Sequence, residues 1–200
     1  MFALVESGSI TKYLSGNRGI TLNDLQYPRA IYTLWTEAER NAIGIYSIVY
    51  DDTNKKDDRW FINTDQSYAF ANSTVTATYG TAAARAHADT LFTAQDETDG
   101  KGTEGEVATR GLKYNLIQTV KQQAAGVLAN TDWYITRNAE KSTAIPSAIT
   151  THRDLVRSRQ ATMETQITNA SNTPALETLY TYTTDSDGVT SRPLAEIPNS

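Results

Sequence analysis

Residues 112–127 read LKYNLIQTVKQQAAGV, and within them Leu112, Leu116, Val120, Ala124 and Val127 recur at steps of 4, 4, 4 and 3. That spacing is the 3.6-residue period of an amphipathic helix. It predicts a helix of about 20 residues, about 30 Å long, that closes near Ala129 and Asn130. A second helical pattern opens after Ile145-Pro146, where proline is pre-set for a first turn. Its apolar line is Ile149, His152, Val156, Met163 and Ile167. Two such helices joined by about 15 residues predict an antiparallel hairpin. Pro174 is expected to stop any extension. Leu176, Leu179, Tyr180 and Tyr182 then make a short apolar coda, and Asp185 to Ser200 reads as a polar, extended tail.

Upstream the period changes. Thr74 to Tyr79 alternates Val75, Ala77 and Tyr79 against Thr74, Thr76 and Thr78, and stops at Gly80. This is the period of a half-buried strand. Strand-like runs also cover Phe2 to Val5, Ile10 to Leu14, Ile45 to Tyr50, Arg59 to Asn63 and Ser67 to Ala71. Turn signals at Gly8, Ser15-Gly16-Asn17-Arg18-Gly19 and Asn72-Ser73 separate them. Thr36-Glu37-Ala38-Glu39 has the form of a capping box, so a short helix is expected from Glu37 to Ile43, ended by Gly44. The last four strand runs, in series, predict an antiparallel meander. Thr81 to Gln95 is helical in composition. Asp96 to Glu106, DETDGKGTEGE, has no apolar residue and reads as a linker.

The expected fold class is therefore α+β: an N-terminal antiparallel β-rich domain followed by a C-terminal antiparallel helical hairpin. The expected divisions are residues 1–80, the β-rich domain; 81–106, a helix and an acidic glycine-rich linker; 107–184, the helical hairpin; and 185–200, the extended tail.

Composition narrows function mainly by exclusion. With 200 residues the chain can bury a core unaided. It has no cysteine, which removes disulfides, thiolate metal sites and a cysteine nucleophile. Its two histidines, His87 and His152, fall in different segments, which leaves almost nothing to build a histidine-based metal cluster from. The net charge of −5 on 18 basic and 23 acidic residues argues against nucleic acid or an anionic membrane as partner. Threonine supplies 30 residues, a type that favours strands, caps and turns. The opening MFALVESGSI lacks a basic start and has five consecutive apolar residues, short of the about 7–15 of a secretory leader. No leader and no membrane span are expected.

The acidic stretches do not form recognised sites. DDTNKKDD, residues 51–58, places lysines at loop positions 5 and 6, where a calcium loop needs an acid or amide and then glycine. The glycines of residues 100–105 are not followed by the Gly-Lys-Ser/Thr of a phosphate loop. No Gly-x-Ser-x-Gly elbow occurs. No catalytic residue, cofactor or metal is assigned, and the chain is expected not to be an enzyme.

Residues 128–157, LANTDWYITRNAEKSTAIPSAITTHRDLVR, are the most distinctive stretch. Thr131-Asp132 breaks the first helix, and Trp133 is a large apolar anchor beside the break. Trp133 is expected to plug the open end of the helix pair. Tyr134, Arg137, Arg153 and Arg157 are expected to be more exposed contact candidates. In Leu128, Thr131, Asp132, Trp133, Arg137, Ile145, Pro146, Arg153 and Arg157 the stretch resembles the C-terminal region of phage tail assembly chaperone and tail-fibre-associated proteins. It departs at His152, where that family often has tyrosine, and in its continuation through Ile167 to Tyr182. MFALVESGSITKYL, LNDLQYP and RPLAEIP also look like uncharacterised virion proteins of marine, cyanophage-like tailed phages.

The resemblance implies a non-enzymatic structural component of a tailed-phage virion, made in the host cytoplasm and sited at fibre, baseplate or neck. Its partners would be other phage structural proteins and several symmetric copies of itself. The alternatives are a tail-fibre assembly chaperone that leaves before maturation, and a hydrolase or lyase of host-surface glycan.

Overall fold

The computed structural model describes residues 1–198. The chain is α+β, with strands concentrated before residue 80 and long helices after residue 111. It divides into two compact units, Met1–Ala83 and the chain from Ala84 onward.

The first unit opens with β1 (Phe2–Glu6) and β2 (Ser9–Leu14), an antiparallel hairpin turned by Ser7 and Gly8, both at positive φ. A second hairpin, β3 (Ile20–Leu22) and β4 (Leu25–Tyr27), follows. Two short helices come next, α1 (Ile31–Leu34) and α2 (Glu37–Ala42). The expected capping box is present: Glu39 N–H donates to Thr36 Oγ1, and Thr36 N–H to the Glu39 carboxylate at 2.7 Å. Then come β5 (Ile45–Asp51), the two-residue β6 (Phe61–Ile62), β7 (Gln66–Ala71) and β8 (Thr74–Tyr79).

The main sheet has the order β2-β1-β5-β8-β7, and this corrects the meander. Strand β8 runs parallel to β5, with Ile48 opposite Val75, while β7 pairs only with β8 and lies outside it. Burial explains the choice. Val75 and Ala77 of β8 are fully buried and suit the centre of a sheet. Strand β7 has no fully buried residue and suits an edge. A parallel pair needs a crossover of a dozen or more residues, and residues 52–73 supply it. The expected strand Arg59 to Asn63 shrinks to two residues within that crossover, with Trp60 and Phe61 buried beneath it.

Alternation along β1 divides the core. Ala3 and Val5 join Ile48, Val75 and Ala77 on one face, and Leu4 joins Leu14, Ile31, Tyr32 and Ile45 on the other. The edge strands β2 and β7 approach one another on the first face, where the Tyr13 and Tyr68 rings lie 4.8 Å apart. The sheet therefore curls around its first core, and α1 packs on its second.

The division between the units falls inside β9 (Ala83–Ala84). The second unit contains β10 (Thr90–Leu91), α3 (Ala94–Thr98) and β11 (Val107–Thr109). Its helical part is α4 (Leu112–Ala129), α5 (Asp132–Lys141), α6 (Ser147–Asn169) and α7 (Thr173–Tyr180). Two-residue strands β12 (Thr183–Thr184) and β13 (Thr190–Ser191) follow.

The expected helix at residues 81–95 does not form, because its carbonyls serve another helix. Leu112 N–H donates to Ala86 O and Lys113 N–H to His87 O, each at 3.0 Å. These are orphan donors of the first turn of α4, whose cap residue Gly111 has no side chain to satisfy them. Asp89 accepts the Gly111 N–H at 2.8 Å and a bond from Arg110.

The acidic stretch is likewise not a linker between the units. Strands β10 and β11 pair on either side of it. Thr93 and Asp96 form a second capping box at α3, and Lys101 pairs with Asp96 at 3.1 Å and Asp99 at 3.0 Å.

Helices α4 and α6 run antiparallel. Lys113, at the start of α4, donates to Thr168 O near the end of α6 at 2.8 Å. Leu116, Val120 and Ala124 face Val156, Met163 and Ile167, all buried. The joining segment is mostly helix α5. Pro174 starts α7 instead of stopping a helix: it stands in the first turn, which Asn172 caps through the Ala175 N–H. The polar tail also departs from expectation. Leu194 is 1% exposed, and Gln166 of α6 binds the segment after β13, donating to Pro193 O and accepting from Ala195 N–H, each at 2.9 Å.

Candidate interaction site

The α4–α6 hairpin is closed at one end by Arg153, which is 6% exposed. Its Nη1 donates to Leu128 O at 2.9 Å and to Thr131 Oγ1 at 2.7 Å, both at the end of α4. Its Nη2 pairs with Asp132 Oδ1 at 2.9 Å. Asp132 opens α5, where a carboxylate suits the positive end of the helix. One guanidinium thus ties α6 to the last turn of α4 and the first turn of α5.

This reverses two expectations. Arg153 was expected to be exposed and closes the hairpin; Trp133 was expected to close it and is 51% exposed. Spacing alone could not separate Arg153 from His152: between Ile149 and Val156 a line through 152 takes steps of 3 and 4 and one through 153 takes steps of 4 and 3. The structure puts Arg153 on the buried line. A guanidinium on a long stem can occupy such a stripe when its donors find acceptors.

With the start of α5 anchored, its next turn presents an aromatic–cationic cluster. The Trp133 and Tyr134 rings lie 3.8 Å apart at 31°. Arg137, one turn on, sits over Trp133 at 4.7 Å and Tyr134 at 5.2 Å. Its Nε is shielded and has no hydrogen-bond partner among the described residues. Ile135 beside them is 41% exposed. Three candidates, Trp133, Tyr134 and Arg137, are therefore together. Arg157 stands apart on the exposed side of α6, paired with Asp154 at 3.3 Å.

The His87 carbonyl helps to cap α4, and His152 Nε2 is buried without a partner among the described residues. Among the described residues no three His, Asp or Glu side chains gather as metal ligands. The 51–58 loop bonds within itself and to Asn63: Asp51 accepts from Thr53, and Asn63 bridges Lys56 and Asp58. No described helix is long and apolar enough to cross a membrane.

No family model matches the chain, and no curated protein or solved structure matches it.

Proposed function

We propose that the chain is a non-enzymatic structural component of a tailed-phage virion, made in the host cytoplasm and built into the tail region. It binds other phage structural proteins, in several symmetric copies, through the exposed face of α5. The observation that carries this reading is the Trp133–Tyr134–Arg137 stack. Trp, Tyr and Arg are the residue types that dominate interface energetics. Here they are pre-assembled on a short helix whose base is fixed by Arg153. The resemblance of residues 128–157 to tail-associated phage proteins supports the assignment to a tail.

Quantitative mass spectrometry of purified virions tests it. A structural part is present at a fixed copy number. Its absence from virions, with presence in infected-cell lysate, is the outcome of a departing chaperone. Turnover of host polysaccharide by the purified chain, lost on changing a single carboxylate, overturns the non-enzymatic assignment.

A further inference from the structure

The first unit contains a cleft that the interaction reading does not use. It lies between the end of β2, the turn at residues 15–19, the start of β3 and α1, and its volume is about 450 Å³. Lys12 and Arg18 line it, and no Asp or Glu does. Neither cation has an ion-pair partner among the described residues. In a chain of net charge −5 this is a local reversal of sign.

Tyr32 provides the second observation. It lines the cleft from α1 and is 8% exposed as a residue, and its hydroxyl has no hydrogen-bond partner among the described residues. The hydroxyl is not sealed from solvent, so it is open to a ligand. Burial also pushes the phenol above its ordinary value, and a phenol is a donor at neutral pH in either case. The turn is seated directly on this ring. Gly16, at φ +73°, leaves space where a Cβ would come 3.4 Å from Tyr32 Cγ and 3.0 Å from Phe2 Cε2. The amides of Gly16, Asn17, Arg18 and Gly19 donate to no backbone carbonyl among the described residues.

We propose that this cleft binds a small phosphate monoester, with Lys12, Arg18, the Tyr32 hydroxyl and the turn amides around the phosphoryl oxygens. Every polar side-chain group named is a donor or a hydroxyl, and two carry positive charge, which is the chemistry of an oxyanion site. The volume is that of a site for a whole small molecule. Ile20, with Thr21 and Ser15, lines the part of the cleft beyond the phosphate. The site is independent of α5 and of the proposed virion role.

Amide correlation spectra of the full chain test it, titrated separately with glucose 6-phosphate, inorganic phosphate, glucose and acetate. The expected result is saturable movement of the Gly16, Arg18 and Gly19 amides with glucose 6-phosphate, with Kd below about 1 mM. Inorganic phosphate should bind at least about tenfold more weakly, since it makes none of the contacts that the sugar makes with the rest of the cleft. Arg18→Ala and Tyr32→Phe should each weaken the monoester about tenfold or more. Tyr32→Phe keeps the ring packed 4.9 Å from Phe2, so the melting temperature should hold. Absence of saturable shifts overturns the site. Equal binding of inorganic phosphate, glucose or acetate overturns the monoester assignment. Binding unchanged in both variants overturns the residue assignment.

Discussion

Replacing Arg153 by alanine is the sharpest perturbation of the helical unit. The guanidinium makes two bonds to groups at the end of α4, at 2.9 and 2.7 Å. Bonds to a charged group are worth about 1.5–3 kcal/mol each when both ends are sequestered. Two corrections lower the sum. Leu128 O also accepts from the Thr131 N–H and hydroxyl, each at 3.0 Å, so alanine orphans no carbonyl. The Asp132 carboxylate is 61% exposed, so its ion pair contributes only about 0–1 kcal/mol. The net expectation for Arg153→Ala is a loss of about 2–4 kcal/mol, or about 10 °C in Tm. Arg153→Met separates stem from charge. It fills the same stripe but loses the same two bonds, so methionine should recover only the packing part of the loss and melt between alanine and the native chain. Asp132→Ala should cost less than about 1 kcal/mol. Thermal melts followed by helical circular dichroism order the three variants. If Arg153→Ala melts no lower than Asp132→Ala, the guanidinium is only a surface partner and the keystone argument fails.

Trp133→Ala should move Tm by no more than about 2 °C, because the ring is half exposed. The same variant should fail to enter particles; normal incorporation would place the interface elsewhere. Gly111→Ala should cost about 1–3 kcal/mol, since a Cβ there meets the Ala88 carbonyl and must push back the segment that caps α4. Denaturant midpoints measure this, and an unchanged midpoint would refute the close approach. The Thr93 side-chain and backbone bonds, with Lys101, lower Asp96 from its ordinary 3.8 to about 2. The cap on α3 is therefore complete above about pH 4 and lost as pH falls through about 2. The pH dependence of the Thr93 amide shift reports it, and Asp96→Asn should abolish that titration.

Periodicity made α4 and α6 legible because each buries one continuous stripe. Thr36 and Glu39 were legible for a different reason: a capping box is closed within four residues. What failed was decided by distant groups. Residues 84–88 have helical composition, but the free amides of Leu112 and Lys113 claim their carbonyls. The order of β5, β8 and β7 depends on which strand is buried on the core face, and alternation alone assigns no neighbours. At the site, size and hydrophobicity pointed to Trp133 as the plug. The deciding quantity was hydrogen-bonding capacity: the end of α4 offers a carbonyl and a hydroxyl, which a guanidinium can meet together and an indole, with its single N–H, cannot.

The parallel contact between β5 and β8 has a kinetic consequence. The β1–β2 and β7–β8 hairpins each close within a few residues and can form locally. The Ile48–Val75 contact must instead wait for closure of the whole intervening crossover, with its entropic cost. Until then Val75 and Ala77 lie on an unpaired strand edge, open to another chain. The first unit should therefore fold in two phases, a fast one for the hairpins and a slower one for the seam. Changes that lengthen residues 52–65 should slow the second phase and raise aggregation during refolding, with little effect on the native state once it has formed.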